Sequence, residues 1–156
     1  MFRQNTAEMA DITNNTLYDR DFYAWANEQA RLIRAGLLSD LDFENLAEEV
    51  ESMGRSEKKE LVSRLQVLIM HLLKWQFQPA GRGTSWRLTI EEQRRRLAKH
   101  LAANPSLKAE LREAIESAHD VAVVGAARET MIDLELFPTA CPWTFDQISA
   151  SNFWPD

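Results

Sequence analysis

Residues 56–77 read SEKKELVSRLQVLIMHLLKWQF, and this stretch decides the fold. Ser56 can cap a helix start, and the first half has an apolar stripe at Leu61, Leu65, Leu68 and Leu72 with the spacing of one helix face. From Val67 to Leu73 the run is apolar nearly all round, as in a helix covered on several sides. The spacing therefore predicts a central helix over 57–77.

Working outward, the flanking segments repeat the helical period. Phe22 to Ala35 carries Phe22, Trp25, Ala26, Leu32 and Ile33 on one face, with Asp19 or Asp21 as N-cap and Gly36 as left-handed C-cap. A second helix starts near Asp40 or Asp42, is expected to bury Phe43, Leu46, Ala47, Val50 and Met53, and should stop at Gly54. Downstream, Pro79, Gly81 and Gly83 mark a loop, and a fourth helix follows from about Ser85 to Ala102 with Trp86, Ile90, Leu97 and Leu101 in one stripe. Asn104-Pro105 predicts a capped start for a fifth helix running toward Thr130. Its small residues, Ala114, Ala118, Ala122 and Ala126 beside Gly125, let another backbone come close. Thr144 and Gln147 form a capping box for a short last helix. No segment alternates like a strand. The expectation is an all-α, single-domain multi-helix bundle: a polar N-terminal arm over residues 1–17, then one helical domain over 18–156 with five main helices and a short C-terminal one.

Composition narrows the functional classes. The chain has 156 residues, 45% apolar and 27% charged, with one cysteine, Cys141, so neither an internal disulfide nor a cysteine-based zinc site can form within it. No leader or membrane span is legible, and the expected location is the cytoplasm. The net charge of −6 hides a division: residues 1–54 hold 11 acidic and 4 basic side chains, residues 55–100 hold 4 and 11, and residues 101–156 hold 9 and 3. A basic middle lies between acidic flanks, a pattern that internal neutralisation explains as readily as an anionic partner does.

Several segments occur together in order: YDRDFYAW at residues 18–25, LDFENLAEEVESMG at 41–54, HLLKWQFQP at 71–79, Ser85-Trp86 followed by Gln93-Arg94-Arg95, NPSL at 104–107, and Phe137-Pro138 with Cys141-Pro142-Trp143-Thr144. Together these resemble the uncharacterised bacterial family catalogued as domain of unknown function 29, over about residues 18–148. The resemblance implies an all-helical bacterial protein and carries no activity or catalytic residue with it.

The candidate chemistry comes from the residues themselves. Glu49, His71, Lys74 and Arg94 form a candidate polar cluster, since carboxylates and an imidazole serve as acid, base or ligand. Arg94 projects within the Trp86–Ile90–Leu97 face, where a guanidinium needs a carboxylate or several carbonyl partners. A Glu49–Arg94 pair near His71 is the expected arrangement. The bland alternative is a network that fixes helix register. Neither an HExxH-type spacing nor a nearby second ligand argues for metal, and no cofactor is called for.

Arg82, Arg87, Arg95, Arg96 and Lys99 form a candidate anion-binding surface, weighed against a solvated face because Glu91 and Glu92 share the same turns. Gly81-Arg82-Gly83-Thr84-Ser85 lacks the Lys-Ser/Thr ending of a phosphate loop. Cys141 has no local base and reads as a small buried hydrophobe, while Trp143 and Trp154 are the aromatics placed to mark a contact surface. No catalytic constellation is complete, so the functional expectation is a non-catalytic helical interaction module for a protein partner or for self-association. The alternatives are nucleic-acid binding through residues 82–99 and, third, a metal-dependent hydrolase or nuclease using Glu49 and His71.

Overall fold

The structure is a computed structural model that describes residues 17–156; the polar arm expected over 1–17 therefore lies, apart from Leu17, outside the described residues. A helical turn over 17–20 leads into α1 (Phe22–Ala35). Of the two aspartates that could cap α1, Asp21 does so, accepting from the Ala24 N–H at 3.0 Å. Gly36, at φ 72°, closes the far end by donating to the Leu32 and Ile33 carbonyls.

α2 runs without a break from Phe43 to Phe77, which corrects the expectation of two helices separated at Gly54. A glycine stops a helix by adopting the left-handed conformation, and Gly54 stays out of it. Inside a helix it costs only about 1 kcal/mol relative to alanine, and the turns on either side outweigh that. Ser56 is therefore an interior residue and not an N-cap.

A 3₁₀ turn at Pro79–Gly81 leads to α3 (Thr84–Ala103). The absence of a side chain at Gly81 is required here, because a Cβ would collide with the Trp86 ring. Asn104 serves two segments. Its Nδ2 turns back to the His100 carbonyl at 3.2 Å and to Glu57 at 3.3 Å, finishing α3. Its own carbonyl accepts from Leu107 at 3.1 Å as the N-cap position of the next segment, which has Pro105 at its start and no side-chain cap bond. Pro105–Glu110 is a 3₁₀ segment, and α4 begins only at Leu111, ending at Thr130. A 3₁₀ turn at Leu134–Leu136 and the short α5 (Phe145–Ser149) complete the chain, and the Thr144–Gln147 capping box is formed. No strand occurs among the described residues, and the fold is an all-α bundle.

The chain groups into two compact units, one ending at Gly54 and the other spanning Arg55–Asp156. In the C-terminal unit Leu61, Leu65, Leu68, Ile69, Leu72 and Leu73 of α2 are fully buried, packed with Ile90 and Leu97 of α3 and with Ala118, Ala122 and Ala126 of α4. Each such leucine contributes roughly 1.5–3 kcal/mol of apolar burial. The small-residue stripe of α4 allows the close approach read from its sequence: a Cβ on Gly125 would lie 2.7 Å from Met70 Sδ.

The N-terminal unit is built differently. Its buried apolar side chains among the described residues are Trp25 and Leu32. Ring contacts among Tyr18, Phe22 and Trp25 and a set of polar bonds supply the rest of its order. Trp25 Nε1 donates to Asp42 at 3.0 Å, and the Asp42 N–H donates to Gln29 at 2.9 Å. Asn45 Nδ2 also donates to Asp42, at 2.8 Å. The stripe expected to be buried on the first turns of α2 is instead outward: Phe43 is 63% exposed, Val50 60% and Met53 62%, with Ala47 exposed and Leu46 half-buried.

Candidate functional site

The four residues of the candidate polar cluster are divided between the two units, Glu49 in one and His71, Lys74 and Arg94 in the other. Glu49 lies in the N-terminal unit, where the Tyr18 hydroxyl donates to its carboxylate at 2.5 Å. That bond, with the neighbouring negative charges, pushes the Tyr18 phenol up to about 12. Arg94 sits in the C-terminal unit and satisfies itself with backbone carbonyls, the second of the two ways a buried guanidinium can be held. Nε donates to Ile148 at 2.9 Å and Nη2 to Phe153 at 2.6 Å, with Trp154 stacked 5.2 Å away. Within its own unit each residue has partners: Glu49 takes part in a phenol–carboxylate bond, and Arg94 clamps the returning C-terminal tail. Its Nη1 has no partner among the described residues.

His71 and Lys74 do come together on α2, with a third member the sequence did not mark. Lys74 is 4% exposed; its ammonium pairs with Glu129 of α4 and lies 4.5 Å from the centre of the Trp86 ring. The pairing with Lys74 is the main reason the Glu129 carboxyl lies below its ordinary range. His71 donates from Nδ1 to the Val67 carbonyl at 2.8 Å. Burial, reinforced by the charge of Lys74, holds its imidazole below the usual value and keeps it neutral at pH 7. The arrangement can tie α2 to α4 and to Trp86. It offers a single half-exposed carboxylate, and no group of three or more His, Cys, Asp or Glu side chains suited to a metal ion gathers among the described residues.

One further imidazole is buried nearby in sequence terms. His119 of α4 is fully enclosed, with Nε2 unpartnered among the described residues, and burial holds it below the ordinary histidine value. It was missed because it stands beside an alanine stripe and next to Glu116, Ser117 and Asp120, in a stretch that reads as the border of a solvated helix face.

The candidate anion surface is reduced by its own neighbours. Arg82 donates to the Trp75 carbonyl at 2.7 Å and to Pro155 at 3.4 Å, which makes it a second clamp on the tail. Arg87 pairs with Glu91 at 3.0 Å and Arg96 with Glu92 at 2.6 Å, each one helical turn away. Arg95 and Lys99 are exposed and pair with no described acidic residue. Two cations on one outer face are a small footprint for a phosphate backbone.

Trp143 and Trp154 fold inward instead of marking a surface. Trp143 is buried against Phe153, and Trp154 stacks on Trp75 with ring centres 4.7 Å apart. Cys141 lies in a groove with Trp143, Leu111 and Ile115, and burial raises its thiol, making it a poor nucleophile.

The largest departure from ordinary surface chemistry is in the N-terminal unit. Eight large apolar side chains between Phe22 and Met53 are exposed against two that are buried. Scattered single hydrophobes on a surface mean little; a periodic row of them on one helix, Phe43, Val50 and Met53 with Ala47 between, is the kind of patch that associates.

A family model described as Domain of unknown function DUF29 matches residues 17–154. No curated protein and no solved structure matches the chain. No helix among the described residues is long and apolar enough to cross a membrane.

Proposed function

The chain belongs to that family, Domain of unknown function DUF29, and from its surface we propose that it is a non-catalytic helical interaction module whose contact face is the outward stripe of α2. The observation that carries this reading is the exposure of Phe43, Val50 and Met53 on the most regular amphipathic segment of the sequence. An amphipathic helix normally gains its stability by covering its apolar stripe. Here the stripe is formed and no described residue buries Phe43, Val50 or Met53, so its free energy is available to association.

The polar residues fit the same reading. Lys74, Arg82 and Arg94 are committed to Glu129 and to backbone carbonyls, which supports a rigid carrier rather than a reactive centre. A photocrosslinking phenylalanine analogue placed at Val50 or Met53 of the full chain, in cells, should give a covalent adduct of higher mass. The same analogue at Arg95 should give none. Absence of an adduct from both apolar positions overturns the proposal.

A further inference from the structure

Arg94, Ala98, Leu101 and Ala102 follow one another on α3 at steps of four, three and one, which puts them on one helix face. The two alanines leave room beside that face. With Lys108 of the Pro105–Glu110 segment and with Phe145 and Ser149 of α5, it borders a cavity of about 350 Å³. Small-molecule sites are concave, mostly apolar and roughly 300–1,000 Å³ in volume, with a few placed polar groups. Here the apolar wall is Ala98, Leu101, Ala102 and Phe145, and the charged side chains are both cationic, Arg94 and Lys108. No carboxylate lines the cavity among the described residues.

Neither cation is neutralised. Arg94 is 6% exposed, and its acceptors are the uncharged carbonyls of Ile148 and Phe153, with Nη1 left over. Carbonyls hold a guanidinium without cancelling its charge, and that charge acts through the protein interior without direct contact. Lys108 is exposed and pairs with no described acidic residue. The groove beside Cys141 differs in this respect: Arg112 on its wall faces Glu116 at 3.5 Å, so its charges balance. From this contrast we infer that the cavity between α3 and α5 binds a small amphipathic carboxylate. The apolar chain of the ligand lies on the alanine, leucine and phenylalanine wall, and its carboxylate meets Lys108 in the field of Arg94. A neutral ligand of the same shape gains only the apolar part.

The test titrates the full chain with octanoate, octanol and acetate by calorimetry at low salt. Octanoate should bind at least about tenfold more tightly than either of the others. Lys108→Glu should weaken octanoate about tenfold and leave octanol unchanged. Ala98→Phe fills the cavity from an exposed position and should abolish binding of both; Ala102→Phe, also at an exposed position, replaces it if circular dichroism shows that the first variant loses its helices. Octanol bound as tightly as octanoate overturns the selection by charge. Acetate bound as tightly as octanoate overturns the amphipathic ligand by reducing the site to a bare anion contact. The site itself is overturned by octanoate affinity unchanged in Lys108→Glu or in the filled variant. It is equally overturned if octanoate gives no signal where a Kd of about 1 mM would be seen.

Discussion

The two ends of α2 carry apolar stripes written in the same helical code, and they differ in what lies against them. Leu61, Leu65, Leu68 and Leu72 are fully buried; Phe43, Val50 and Met53 are more than half exposed. Periodicity alone announces that a helix has an apolar face. Whether the face is covered depends on what the chain can bring to it. For the C-terminal stripe the chain supplies Ile90 and Leu97 from α3 and the alanine row of α4. In the N-terminal unit it supplies Trp25, Leu32 and a set of hydrogen bonds centred on Asp42.

The contrast can be broken first by truncation. Leu68→Ala should cost about 2–5 kcal/mol, the range for removing a fully buried leucine, while Val50→Ala should stay within about 0.5 kcal/mol as exposed substitutions do. Urea denaturation of both variants measures the difference, and comparable losses would contradict the contrast. Next in size is Glu129→Gln. It leaves the buried Lys74 ammonium without its carboxylate and should cost about 1–3 kcal/mol, moderated because Glu129 itself is half-exposed.

The two internal glycines of the helices sharpen the comparison at smaller scale. Gly54→Ala places a Cβ where nothing lies within 4 Å and should stabilise by about 0.5–1 kcal/mol through helix propensity. Gly125→Ala gains the same propensity but drives a Cβ into Met70, and overpacking of about 1–3 kcal/mol should turn the net effect unfavourable. Thermal melts of the two variants should therefore move in opposite directions.

The smallest effects are in pH. His71 and His119 have folded values below the ordinary 6.5, so the unfolded chain takes up their protons first. Their contribution to stability is complete above about pH 6.5 and is lost as the pH falls toward the folded values. Denaturation midpoints should decline between pH 7 and 5 and decline further through the carboxylate range, where Glu129, held below its ordinary value, is protonated first in the unfolded chain. At the alkaline end, one tyrosine should titrate at about pH 12, and Tyr18→Phe should remove that transition from the ultraviolet absorbance titration.

Much of the fold was legible because local rules govern it. The bounds of α1 follow from Asp21 and Gly36, the last helix from its capping box, and the buried stripe of α2 from a four-residue repeat. Gly54 was misleading because glycine signals a helix end, but the conformation it adopts is set by neighbours several turns away, and it stays inside the helix here. The site was less legible. Glu129 stands 55 positions from Lys74, and the partners of Arg94 are main-chain carbonyls that leave no mark in a sequence. The exposure of Phe43, Val50 and Met53 was illegible in principle, since a stripe awaiting a partner and a stripe buried at home have the same periodicity.

Peroxide oxidation of the native methionines, followed by mass spectrometry of the full chain, tests the outward stripe most directly. Met53 is 62% exposed and Met131 88%. In the isolated chain both should oxidise readily and at similar rates. Protection of Met53 in the isolated chain at dilution would contradict the account, because the stripe would then already be covered.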